Sequence, residues 1–384
     1  MPLDHPIVRD VMQASERFQV RYRLQAAADD AQRIAEQICL EQTVEVVPQL
    51  AADHAIQQQI VGRIQRLTTI DDSTTDALIS YPAQIADHNL PQLLNVLFGN
   101  ISLQSGIRVV ELELPQSMLD ALPGPRFGVT GLRELVNVHD RPLLAAVLKP
   151  MGRSPSQLAD YAHQFALGGI DLIKDDHGLA DQRFCPFEER VERCAAAVAE
   201  ANAQTGGNAL YAANLIAPCD RLIQRAHRAK QLGARGLVLA PMILGLDWLR
   251  ALATDRELRL PLIAHPGLSG SFVNPPQHGI APGVLLGTLF RLAGADVSIF
   301  PSFDGRFGLS KQTCMQIAAA CSAPLGDKRP SMPGPAGGVR LDNVPAKLEA
   351  YGLDHLLLVG SDLYVRSHDL TANARELVEK ISGR

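Results

Sequence analysis

Gly168-Gly169-Ile170-Asp171-Leu172-Ile173-Lys174-Asp175-Asp176-His177 decides the fold. Its first half is a short apolar run behind a Gly-Gly pair, and Ile170, Leu172 and Ile173 suit a strand covered on both faces. Its second half sets a lysine, two aspartates and a histidine at the strand's C-terminal end, where a parallel barrel presents its chemistry. Charged groups against an apolar strand need partners or a metal, so the cluster reads as a functional site or a local ion-pair knot. Asp175 reads as its structural member, pairing with a neighbour.

Outward from this stretch the same rhythm repeats. From Gly124-Pro125 onward, apolar runs at Leu143–Leu148, Ile170–Ile173, Leu210–Leu215, Gly236–Ala240, Pro261–Ala264, Val297–Phe300 and Leu356–Val359 alternate with helical patterns, and a weaker strand is required near Ser331–Pro335. The helical patterns fall at 154–167, 186–205, 220–232, 246–254, 282–293, 310–321, 344–351 and 370–381. Eight βα units over roughly 245 residues predict an α/β fold, a C-terminal (β/α)8 TIM barrel. A doubly wound sheet fits less well, because no GxGxxG opens the first unit. The N-terminal segment mixes elements without a βα repeat. It has an alternating strand at Phe18–Leu24, a helix capped by Asp29-Asp30 and running to Leu40, and strands at Thr43–Val47, Ala77–Tyr81 and Gly106–Leu114. Residues 7–17 are polar and helix-like. The expected division is an N-terminal α+β domain at 1–122 and the barrel at 123–384.

Composition narrows the function class. A net charge of −5 with no basic run argues against nucleic-acid binding, and no apolar stretch is long enough to span a membrane. Met1–Pro6 carries neither a basic n-region nor an apolar h-region, so no secretory signal is expected. Six scattered cysteines without metal spacing fit buried thiols in a reducing, cytoplasmic setting.

The strand ends form a polar ring. They are Lys149-Pro150, then Lys174 to His177, Asn214, His265-Pro266-Gly267, Ser302 to Gly308 with Asp304 and Arg306, Pro335 to Gly338, and Gly360-Ser361-Asp362. Glycines after strands seven and eight stand where many barrels hold a phosphate on backbone N–H groups. Each member also has a bland reading: Lys149 as an ion-pair partner, His265 as a hydrogen-bonded strand-end histidine, Asp304 with Arg306 as a loop ion pair, and the glycines as turns.

Gly124-Pro-Arg-Phe-Gly128, Arg141-Pro-Leu-Leu144, Leu148-Lys149-Pro150 and Gly168-Gly-Ile-Asp-Leu-Ile-Lys-Asp-Asp176 together resemble, in order and spacing, the ribulose-1,5-bisphosphate carboxylase/oxygenase (RuBisCO) large-subunit superfamily. The resemblance implies an N-terminal α+β domain, a (β/α)8 barrel, and a homodimer with active sites shared between subunits. It implies that Lys174 is carbamylated by CO2 and, with Asp176, binds Mg2+ as a hard oxygen ligand. His177 stands where the family has a glutamate, and a nitrogen ligand suits Mn2+ or a softer ion better. Other departures point away from CO2 fixation. Met151 replaces a second lysine, Pro266 a phosphate-binding arginine, and the loop after strand six has Arg306 but no lysine. The chain thus looks like a form IV, RuBisCO-like protein.

The chemistry so implied is metal-assisted enolisation of a phosphorylated keto sugar or sugar acid. Lys149, the Lys174 carbamate or His265 would move the proton. Asn100 would bind a substrate oxygen or the metal, and Gly337, Gly338, Gly360, Ser361 and Arg306 would bind the phosphate. Asn100, where an isomerase or enolase carries a lysine, directs the expectation to decarboxylation or C–C hydrolysis of a 3-oxo-isoapionate 4-phosphate-type acid. The alternatives are an isomerase or enolase acting on 5-methylthioribulose 1-phosphate or a related diketo phosphate, and a non-catalytic regulatory barrel.

Overall fold

The computed structural model describes residues 16–46, 53–86 and 89–383. The chain divides into two compact units, Met1–Leu122 with Gly270–Leu285, and Pro123–Ser269 with Leu286–Arg384.

The first unit is built on a five-stranded sheet. β1 (Arg17–Leu24) lies between β3 (Thr74–Pro82) and β4 (Ile107–Glu113), with β2 (Arg63–Asp71) outside β3. Phe18, Val20, Tyr22 and Leu24 are fully buried, which is the period-two alternation expected of β1. The helix Ala28–Glu41 carries Asp29 and Asp30 in its first turn, where carboxylates favour the positive end of the helix dipole. The residue before it is Ala27, so the two aspartates do not cap it. The expected strand at Thr43–Val47 is a turn following that helix over its described part, and Val47 lies outside the described residues, as do residues 7–15. Leu90–Phe98 forms a helix capped by the Asn89 side chain. The fifth strand comes from far along the chain. Gly279–Ile280 (β10) pairs in parallel with Arg108 and Val109, and Arg108 donates to the carbonyls of Pro275 and Val273.

The second unit is the expected barrel. Its parallel strands are β5 (Leu143–Leu148), β6 (Leu172–Asp175), β7 (Leu210–Asn214), β8 (Gly236–Leu239), β9 (Leu262–Ala264), β11 (Val297–Pro301), β12 (Met332–Ala336) and β13 (Leu356–Val359), ordered β12-β11-β9-β8-β7-β6-β5-β13. β12 and β13, the two ends of that order, are neighbours. The helices fall between them nearly as the sequence places them, except that the segment 283–289 is a π-helix. Ser154 and Gln157 form the capping box that starts the helix Pro155–Leu167.

The barrel interior is one apolar cluster that includes Leu143, Ala145, Val147, Leu172, Leu210, Ala212, Val238, Ile263, Val297, Ile299, Met332, Leu356 and Leu358. These are alternate residues of their strands, so the next position of the same parity at each C-terminal end also faces the interior. That parity selects Lys149, Lys174, Asn214, His265 and Gly360, and two residues on from Lys174 it selects Asp176.

The opposite end explains two of the motifs. Arg141 grips Asp171 through two bonds of 2.7 and 2.8 Å, and Asp171 also accepts the Leu144 N–H, which ties β5 to β6. Buried Asp296 accepts the N–H groups of Phe127, Gly128 and Leu262. Burial pushes its carboxyl up to about 6 against the pull of those bonds. Gly128 has φ +59, and a Cβ there would meet the Pro330 carbonyl. The six cysteines are free, and all but Cys219 are buried. Among the described residues no helix is long and apolar enough to cross a membrane.

Candidate active site

Strand parity separates the two aspartates next to Lys174. Asp175 points out of the barrel, where it is fully buried. It pairs with Arg190 Nε at 3.1 Å, accepts the Tyr211 hydroxyl at 2.9 Å and accepts the Asn214 N–H at 3.1 Å. Asp176 points inward, beyond the end of β6. Its Oδ2 lies 3.5 Å from Lys149 Nζ, and its Oδ1 lies 3.3 Å from His177 Nδ1 and accepts the Gly178 N–H at 3.0 Å.

Lys174 is 1% exposed, and its Nζ donates to the Asp175 carbonyl at 2.6 Å. Burial lowers its pKa to about 8, more than the Asp176 and Asp175 carboxylates can offset. Burial raises the Asp176 carboxyl, but the Gly178 N–H and the charges of Lys174, His177 and Lys149 outweigh it and leave it below the usual range.

His177 is half exposed and stacks on His265, with ring centroids 4.2 Å apart and planes 13° from parallel. Burial first, then the neighbouring cations, lowers the His177 pKa against the pull of Asp176. Burial, Lys174 and His177 push His265 down to about 2. His265 Nδ1 accepts the Gly267 N–H at 3.1 Å, so the neutral ring carries its proton on Nε2. A ring with this tautomer and so low a pKa is a hydrogen-bond donor at Nε2. That role as a donor differs from the base expected of it.

Strand β13 completes this cluster, because a Cβ on Gly360 would stand 3.6 Å from Lys149 Nζ. The Tyr364 hydroxyl accepts the Lys149 N–H and donates to the Val147 carbonyl, which braces the end of β5 from outside. Asn214 donates to the carbonyls of His177 and Leu179 and so holds the segment that follows β6.

Gly337 and Gly338 form a second cluster with the loop after β11. Both have positive φ, 76° and 113°, and their backbone lies directly against Gly305, leaving no room for a Cβ at Gly305 or Gly338. Phe307 covers Gly337, and exposed Arg306 stacks on Phe307 at 4.8 Å. Asp304 pairs with Lys347 at 3.7 Å rather than with Arg306, which corrects the expected loop ion pair. Lys347 is fully buried, donates to the Phe303 carbonyl and lies 3.2 Å from the Phe303 ring centroid. No spacing in the sequence marks Lys347 or Tyr364, since each acts on main chain brought near only by the fold. Asn100 belongs to the other unit, where it donates to Glu41 at 3.0 Å and is positioned by Gln42, which accepts the Ile101 N–H.

Among the described residues no three His, Cys, Asp or Glu side chains converge to hold a metal ion. Asp176 and His177 are two donors. A divalent cation here would gain a third protein donor from Lys174 only as a carbamate oxygen, since an ammonium offers none. Burial that favours the neutral amine of Lys174 fits that modification.

Residues 128–302 match the family model of the ribulose bisphosphate carboxylase large chain, catalytic domain. The chain is 38% identical to a 5-methylthioribulose-1-phosphate isomerase of Rhodospirillum rubrum over 96% of its own length and 97% of the relative's. It is 39% identical to a 2,3-diketo-5-methylthiopentyl-1-phosphate enolase of Geobacillus kaustophilus over 74% and 70%. The crystal structure of a Rubisco-like protein from Rhodopseudomonas palustris matches with a TM-score of 0.86 at 38% identity, covering 95% of this chain and 97% of that one.

Proposed function

Because the chain belongs to the ribulose bisphosphate carboxylase large-chain superfamily, as a RuBisCO-like enzyme of the form IV kind rather than a CO2-fixing one, we propose that it enolises a phosphorylated keto sugar and completes an isomerisation. The observation that carries this reading is the inward triad of Lys149, Lys174 and Asp176, with a buried lysine whose pKa burial lowers to about 8. The expectation of a 3-oxo-isoapionate 4-phosphate-type substrate rested on elimination through Asn100. The names of the relatives favour proton abstraction beside a carbonyl instead, by isomerase or enolase.

A Mg2+ or Mn2+ ion held by carbamylated Lys174, Asp176 and His177 would supply Lewis-acid polarisation of the substrate carbonyl. Lys149, whose Nζ lies beside Asp176 and Gly360, moves the proton between adjacent carbons in this reading. His265 donates Nε2–H to a substrate oxygen, and its buried ring is spared a charge. The amides of Gly337, Gly338 and Gly360, with Ser361 and Arg306, receive the phosphate.

The test is proton NMR in D2O with 5-methylthioribulose 1-phosphate, ribulose bisphosphate and a 3-oxo branched acid phosphate, each with bicarbonate and Mg2+ or Mn2+. Deuterium incorporation and isomerisation of the first is the expected result. Loss of CO2 from the third without exchange in the first would overturn it. Activity should also rise with pH through about 8, because CO2 adds only to the neutral amine of Lys174. Rates measured from pH 6.5 to 9 after preincubation with bicarbonate check this, and a flat profile would sink it.

His177→Glu gives a specific metal prediction. Exchanging an imidazole for a hard carboxylate should tighten Mg2+ by about tenfold or more and narrow the advantage of Mn2+. Competition between the two ions, followed by Mn2+ electron paramagnetic resonance, reads this directly.

A further inference from the structure

A cavity of about 440 Å³ opens beside the barrel mouth, between the helix Pro155–Leu167 and the segment 361–370. It lies within the size range of small-molecule sites, roughly 300–1,000 Å³. Its wall includes Lys149, Arg153, Tyr161, Ser361, Tyr364 and His368, and none of its described lining residues is acidic. Arg153 Nε is buried without a hydrogen-bond partner, and its guanidinium carbon stands 6.0 Å from the Tyr161 ring centroid. Leaving a buried donor of a charged group unsatisfied is costly. A guanidinium fork in a carboxylate-free, cation-lined cleft matches the geometry of a phosphate or carboxylate. The cleft is distinct from the glycine cluster at Gly337 and Gly338, yet it shares Lys149 and Ser361 with the catalytic ring.

We infer that this cavity is a second oxyanion site, in which Arg153 and His368 bind the phosphate group of a small phosphorylated molecule. The substrate's own phosphate is assigned to the glycine cluster, so the ligand here is a separate phosphorylated metabolite that modulates turnover, and capture of the substrate's phosphate in this cleft instead is an outcome that overturns that assignment. Its place on the shared wall links occupancy to the reaction proposed above, and only that link rests on the functional reading.

Inorganic phosphate is the probe, titrated into the full chain by isothermal calorimetry. The wild-type protein should bind it, and Arg153→Gln and His368→Gln should each weaken one class of site by about tenfold, with Arg153→Lys weakening it less. Thermal melts without phosphate check that the variants fold, and His368→Gln carries the test if Arg153→Gln does not. Isotherms within twofold of the wild type for the folded variants would overturn the site, whatever reaction the enzyme performs. The kinetic arm separates the two ligands. If the substrate's phosphate binds here, Arg153→Gln raises KM about tenfold and phosphate competes with substrate. If a separate ligand binds, KM without phosphate is unchanged and Arg153→Gln abolishes the phosphate response of the wild-type enzyme.

Discussion

Lys174→Ala is expected to cut turnover by about a thousandfold or more while leaving substrate binding much less affected. In the proposed site the side chain would supply, as its carbamate, a metal ligand to stand beside Asp176 and His177, and among the described residues no third His, Cys, Asp or Glu joins those two. Lewis-acid polarisation is worth several kcal/mol of barrier, and about 4 kcal/mol is a thousandfold in rate. The loss should appear as absent Mn2+ binding in the variant and as insensitivity to bicarbonate. Lys174→Met adds a stability readout. The native pKa, near 8, lies below the 10.5 of an exposed lysine. Burying the ammonium therefore costs the wild type stability in full below pH 8, and the cost fades as the pH rises from 8 toward 10.5. Lys174→Met should melt above the wild type at pH 7, and the difference should shrink across that window. A variant with wild-type turnover, or a melting gain that grows with pH, would remove Lys174 from the role given to it.

The strand ends were legible because a barrel strand obeys a two-residue period. Once Leu172 is inside, Lys174 and Asp176 follow it and Asp175 cannot. The same rule brings Lys149 and Gly360 together from strands far apart in sequence. It also shows that the family-like motifs are not all chemistry. Arg141 with Asp171, and Phe127-Gly128 with Asp296, serve the opposite end of the barrel by satisfying main-chain donors and pairing charge. Elsewhere local pattern failed for physical reasons. β2 went unpredicted because as an outer strand it buries almost nothing, so it carries no apolar alternation. The pairing of Gly279–Ile280 with β4 depends on a partner some 170 residues earlier, which no window of sequence contains. The sequence leaves His265 open as one candidate base or as a hydrogen-bonded strand-end histidine, and the bond from the Gly267 N–H supplies the tautomer. Orientation at that level is a property of the folded loop, not of the dipeptide His-Pro.

The largest stability effect is expected away from the chemistry, at Asp175→Ala. Asp175 and Arg190 are both fully inaccessible, and the carboxylate also holds the Tyr211 hydroxyl and the Asn214 N–H. Arg190 keeps its carbonyl partners, Cys185 and Ala180, but loses its counter-charge. Removing one member of a buried ion pair costs about 3–5 kcal/mol, because the other charge stays desolvated. Asp175→Asn preserves the shape and some of the hydrogen bonding, so it should cost less than Asp175→Ala. The double variant Asp175→Ala/Arg190→Leu should recover part of the loss by removing the stranded charge. Chemical denaturation of the three variants reads this order. The effect should also reach the site through Asn214, whose N–H is held by Asp175 while its side chain fixes the carbonyls of His177 and Leu179. Metal affinity in folded Asp175→Asn should therefore fall even though Asp175 does not face the barrel mouth. Unchanged affinity would show that Asn214 holds its position without the carboxylate behind it.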